Sequence, residues 1–111
     1  MLIINNAFSL GMLSPGRGNQ LYITHLALNE AQHLVLEYKN EFVSNVGHES
    51  AAKLFTEILQ FPIAFNRVSW KWENREDHIL VGQYARGRLP ENFSVLEAKP
   101  EDIEWWWVRR K

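Results

Sequence analysis

Apolar positions along the chain change period several times, and each change marks an element. Leu2, Ile3 and Ile4 form an unbroken apolar run ahead of Asn5, the pattern of a short central strand. Phe8, Met12 and Leu13 then recur at helical spacing, but Gly11 and Ser14-Pro15-Gly16 restrict that stretch to a turn of helix. Leu21-Tyr22-Ile23 carries good strand formers. From Asn29 the period becomes helical, with Ala31, Leu34, Val35 and Tyr38 on one face, and Lys39-Asn40-Glu41 closes the helix. Phe42, Val43 and Val46 read as another strand; Leu54, Phe55, Ile58 and Leu59 mark a second helix, stopped by Gln60-Phe61-Pro62. Val68-Ser69-Trp70-Lys71-Trp72 alternates, which predicts a strand. Glu73 to Asp77 reads as a charged hairpin turn into Ile79 to Tyr84, so these two strands are expected to pair antiparallel. In the last strand, Ile103 to Val108, Trp105 and Trp107 face one way and Trp106 the other. The pattern predicts an α/β (α+β) chain forming one domain over residues 1–111.

Composition narrows the classes of function. A hydrophobic share of 46% and five tryptophans indicate a folded domain. The formal net charge of −1 argues against a generic grip on long nucleic acid, while leaving room for a small anion held by a few local arginines. No run approaches the roughly 20 apolar residues of a membrane span, and Met1 to Ile4 is too short for a secretory signal. With no cysteine there is neither disulfide nor thiolate metal site. The expected setting is cytoplasmic. The four histidines show no metal-ligand spacing, so neither metal nor cofactor is expected.

The stretch with most chemistry is Ser44-Asn45-Val46-Gly47-His48-Glu49-Ser50, a strand end, a glycine turn and the first turn of a helix. A glycine-led helix start offers backbone N–H groups and a positive dipole end to phosphate. His48 stands at that mouth with an imidazole suited to proton exchange. On spacing alone the blander role, a histidine decorating a helix cap, is the commoner one. Asn6 and Ser9 have two roles open to them, capping the short helix or contacting a ligand. The loop from Arg86 to Asn92 concentrates two arginines and a carboxylate around glycine and proline, a composition shared by solvated connectors and functional loops.

Taken together, Asn6-Ala7-Phe8-Ser9 with Met12-Leu13, then Gly47-His48-Glu49-Ser50, Asn66-Arg67-Val68 and Arg88-Leu89-Pro90-Glu91, in this order and at nearly this spacing, resemble the viral ring nucleases. The resemblance runs from about residue 3 to residue 91. It implies a homodimer, built on a mixed sheet of about five strands flanked by helices, that cuts cyclic tetra-adenylate, the second messenger of type III CRISPR immunity, without a metal. The product is linear di-adenylate with a 2′,3′-cyclic phosphate, and the effect is anti-CRISPR. The resemblance makes His48 the catalytic histidine, with Glu91 assisting it and Arg88 holding substrate. Arg67 becomes a second substrate-contacting arginine, and Asn6, Ser9, Ser50 and Gln83 further contacts. Three departures stand out. Gln83 to Gly87 is one residue longer than in the viral members, so that Arg86 is able to share the work of Arg88. Ala51 replaces a threonine, and the chain after Glu91 is shorter. Two other classes remain open beside it: a dimeric binding protein that sequesters a cyclic oligoadenylate or short nucleic acid uncut, and a structural protein pairing through its tryptophan-rich last strand.

Overall fold

Five strands and two helices account for the regular structure in the computed structural model, which describes residues 1–13, 20–85 and 99–111. In chain order they are β1 (Leu2–Asn5), β2 (Leu21–Leu26), α1 (Leu28–Glu37), β3 (Phe42–Ser44), α2 (Glu49–Leu59), β4 (His78–Tyr84) and β5 (Ile103–Arg110). One-turn 3₁₀ segments lie at Leu10–Met12, after β1, and at Pro100–Asp102, immediately before β5. The sheet is mixed, in the order β2-β5-β4-β1-β3. β1 pairs parallel with β3 and β4, whereas β5 pairs antiparallel with β4 and β2. β1, apolar from Leu2 to Ile4, is internal and buried along its length, as its unbroken run predicts.

Both helices cover one face. Ala31, Leu34 and Val35 of α1, with Leu54, Phe55, Ile58 and Leu59 of α2, pack on Leu2, Ile4, Leu80 and Trp105. α1 begins with Glu30 Oε1 accepting from the Ala27 amide at 2.8 Å, which satisfies one of the N–H groups a helix start leaves open. α2 ends on Gln60, whose φ of 57° is left-handed, immediately before Phe61 and Pro62. On the other face Ile3, Ile79, Val81 and Val108 pack with Trp72, joined by Trp70 and Trp106. Trp105 and Trp107 thus face the helices and Trp106 the opposite side, as alternation requires.

The stretch from Val68 to Trp72 is not a strand, and it does not pair with β4. Both flanks of β4 are already taken by β1 and β5. The segment instead crosses the sheet's second face. The Trp72 amide donates to the Met12 carbonyl at 2.8 Å, Lys71 Nζ donates to the Gly11 carbonyl, and the Trp72 side chain is fully buried. An extended covering segment alternates like a strand, because alternation follows from extended backbone and one buried side. The residues before β4 do form a turn, with the Asp77 amide on the Asn74 carbonyl at 3.1 Å, but it closes no hairpin.

The two rims of the sheet differ. Beyond β3, residues 63–66 run alongside and cover the edge through a parallel bridge between Val46 and Phe65. Among the described residues β2 pairs with β5 alone, and Tyr22 and Ile23 are half or more exposed.

Candidate functional site at the carboxyl ends of the parallel strands

β1, β3 and β4 run in the same direction, so the residues that follow them gather at one end of the sheet. Small polar residues stand there, immediately after apolar runs. Asn5, Ser44 and Asn45 are all buried. Buried polar groups must find partners, and these find them in the turning chain. Asn5 Oδ1 accepts from the amides of Asn6 at 2.8 Å and Ala7 at 3.4 Å, which bends the chain off β1. The Asn45 amide donates to the Ile4 carbonyl at 2.8 Å and carries the β1–β3 pairing one step further.

Asn6 then reaches across to the glycine turn, where its Oδ1 accepts from the Gly47 amide at 3.1 Å. Asn6 is therefore first a brace for that turn, and its NH₂ group is what it has left to offer a ligand. The Gly47 N–H is correspondingly spent and is not one of the donors α2 presents. Gly47 is not in the left-handed region, and a Cβ there would meet only ordinary contacts. A Cβ there would lie 3.4 Å from Arg67 Cγ and 3.8 Å from Arg67 Cα. The Arg67 stem thus runs directly past the turn.

His48 occupies the N-cap position of α2, yet its side chain makes no capping hydrogen bond. Its Nδ1 is buried and has no hydrogen-bond partner among the described residues. The capping role is thereby removed, and a ring nitrogen is left for another use. Ser50, half-buried, follows in the first turn of α2 beside Glu49. Acidic Glu49 favours the helix start through the dipole.

The remaining expected residues are placed as follows. Ser9 stands at the start of the first 3₁₀ turn without a side-chain capping bond, and it is exposed. Gln83 is exposed on β4, two positions past the last β1 pairing at Val81, and so at the same end of the sheet. Arg86, Arg88 and Glu91 lie outside the described residues. Ala85, the last described residue before them, is held at this end by its amide on the Asp102 carbonyl at 2.8 Å. The structure therefore brings Asn6, His48 and Arg67 around one glycine, with Ser50 one turn on. A recess of about 610 Å³ adjoins this end through Glu49, but it is lined chiefly by the outer flank of α2, by Ile63 and by Phe65 rather than by His48. Among the described residues no three His, Asp or Glu side chains converge as a metal site would require.

Residues to which the sequence pattern assigns no role hold the site together. Asn66 donates from its backbone amide to the Val46 carbonyl and from Nδ2 to the Ser44 carbonyl, each at 2.9 Å. Ser44 Oγ donates to the Ala64 carbonyl at 2.6 Å and accepts from the Val46 amide at 3.3 Å. Their signal in the sequence is position, since Asn5-Asn6, Ser44-Asn45 and Asn66 all follow apolar stretches where a strand or covering segment ends. His78 opens β4 at the opposite end; burial, then the neighbouring N-terminal ammonium, lowers its pKa below the usual imidazole value.

Comparison with known proteins fixes the relationship. B116 of Sulfolobus turreted icosahedral virus superposes with a TM-score of 0.76 at 26% identity, covering 97% of each chain. A protein named uncharacterized protein 26, from Sulfolobus islandicus filamentous virus (isolate Iceland/Hveragerdi), is 39% identical over 69 residues. That match takes in 61% of this chain and 55% of the relative, so it spans only about half of the viral protein. The STIV B116-like family matches residues 2–106, nearly the whole sequence, and the chain belongs to that family.

Proposed function

We propose that this protein is a metal-independent ring nuclease that opens cyclic tetra-adenylate. The observation that supports it best is the convergence of Asn6, His48 and Arg67 on Gly47 from three separate parts of the chain. An N-cap histidine that caps nothing, beside a helix start and an arginine, suits a phosphodiester whose leaving oxygen needs a proton. In this reading two chains related by a two-fold axis face one ring, and each His48 serves one of two opposite phosphates. The ring's 2′-oxygen bonds to the adjacent phosphorus and the bond to the 5′-oxygen breaks. The hydroxyl proton passes to solvent, and His48 delivers the proton taken up by the 5′-oxygen. Arg67 and Arg88 grip phosphate oxygens by forked hydrogen bonds, and Glu91 orients His48. Ser9, Ser50, Gln83 and Arg86 complete the grip on the ring. The products are linear di-adenylates ending in 2′,3′-cyclic phosphate, and the consequence is silencing of the effectors the ring activates.

The test is incubation of the purified protein with cyclic tetra-adenylate in EDTA, with product masses read beside those from His48→Ala. Di-adenylate cyclic phosphate from the parent and intact ring from the variant are expected. A variant as fast as the parent removes His48 from the chemistry. A ring that is bound but stays intact makes the protein a sequestering module. Protein that neither binds nor cuts the ring ends this reading. Because the acid must carry its proton, the single-turnover rate should fall on the alkaline side.

A further inference from the structure

Arg67 is mostly exposed, and a long exposed side chain is ordinarily free to wander at a cost in rotamer entropy when it binds. Here its backbone is not free. The residue before it makes the two 2.9 Å hydrogen bonds already described, one from the backbone and one from the side-chain amide, to the Val46 and Ser44 carbonyls. The Ser44 hydroxyl ties the same segment again, two residues earlier, at Ala64. The Arg67 stem lies against the turn that carries His48, its Cγ 3.4 Å from where a Cβ on Gly47 would stand. The stem passes the glycine turn at contact distance, and its root is set by the asparagine.

We propose that Asn66 is a positioning residue, which fixes the root of Arg67 so that its guanidinium starts from the His48 turn. Arg67 is the group that meets the anionic ligand, so the inference rests on the function proposed above. The requirement is for a donor. Ser44 offers a carbonyl oxygen, so only the amide NH₂ of asparagine can answer it. Aspartate has the same shape but sets a charged oxygen against that carbonyl. Asn66→Asp therefore releases the segment without changing side-chain volume. Asn66→Ala removes the donor without adding charge.

The effect is expected in binding. Releasing Arg67 should raise the KM for cyclic tetra-adenylate about tenfold to a hundredfold, the range spanned by hydrogen bonds to a charged group. kcat should stay within about twofold, as when an interaction equal in ground and transition states is lost. In an Arg67→Ala background Asn66→Asp should add nothing further, because the two act as one unit. A KM within twofold of the parent, or losses that multiply in the double variant, overturns the proposal. The Arg67 Nε–Hε resonance in ligand-free protein supplies a reading that needs no activity. It should shift and broaden in both Asn66 variants, while the thermal midpoint and the indole resonances hold. An unchanged resonance overturns the positioning role even if the ring is cut. If the parent leaves the ring untouched and unbound, the proposed function falls and this resonance alone decides the role of Asn66.

Discussion

Gly82 offers the sharpest test of the core that supports the site. It lies in β4, opposite Trp105 of β5, one position before Gln83. A Cβ built there would stand 2.6 Å from Phe55 Cζ, 2.6 Å from Trp105 Cζ3 and 2.8 Å from Trp105 Cη2. Ordinary contact begins near 3.4 Å, so the rings must retreat by about 0.6 to 0.8 Å. They have little room. Both are 1% exposed, and their centroids are already 4.9 Å apart in a tilted pair. Inserting a methyl group into such a site costs about 1–3 kcal/mol. Replacing glycine returns roughly 0.4–1 kcal/mol by restricting the unfolded chain. Gly82→Ala should therefore lose about 1–2 kcal/mol, or roughly 4–12 °C in thermal midpoint for a chain of this size. Urea unfolding followed by tryptophan fluorescence and by circular dichroism measures it, with coincident transitions and an unchanged m-value expected. Trimming Phe55 to leucine should partly rescue Gly82→Ala, leaving the double variant more stable than the sum of the two losses implies. A Gly82→Ala protein within 0.3 kcal/mol of the parent, or strict additivity with Phe55→Leu, refutes the crowding argument.

Three further outcomes follow from the same structure. Thr56 Oγ1 accepts from the Ile63 amide at 2.9 Å and lies 2.9 Å from the Ala52 carbonyl, so Thr56→Val strands a buried N–H and should cost about 1–3 kcal/mol in urea unfolding. Gln60→Gly relieves a left-handed backbone at the end of α2 and should gain about 0.5–1 kcal/mol, read as a raised thermal midpoint. His78 accepts from Trp107 Nε1 at 2.9 Å through Nδ1 and has its pKa lowered, first by burial and then by the N-terminal ammonium, with Arg109 acting the same way and Asp77 and Glu37 opposing. Below its unfolded value of 6.5 the unfolded chain binds the extra proton, so this contribution is complete above that pH and is lost as pH falls. Urea midpoints measured at a series of pH values should decline on acidification, and the decline should shrink in His78→Asn.

What could be read from the residues depended on which faces they cover. β1 and α2 bury continuous or strongly periodic apolar sets, and β5 alternates around its tryptophans, so all three were legible. β2 was legible only as far as Ile23. Thr24 and His25 belong to a rim exposed on both sides, where burial imposes no alternation. Val68 to Trp72 was misread because a segment draped over a sheet shows the period of one inside it. The position of His48 at the start of α2 was legible, since a glycine turn ahead of a periodic helix is a local signal. The brace from Asn6 to Gly47 spans 41 residues of sequence, and no local pattern announces it. The same holds for Asn66, whose partners are 20 and 22 residues upstream.

The bare rim at β2 has a consequence for assembly. Among the described residues nothing pairs with the outer side of β2, so the main-chain groups of its alternate, outward-facing residues are a template on which another strand can add. Zipping two copies together there by a dyad normal to the sheet makes the junction antiparallel and reverses every strand of the second copy. The two glycine–histidine turns would then look toward opposite horizons, too divergent to clasp a single small macrocycle. Any pair of chains that shares one ring must be joined through some other surface.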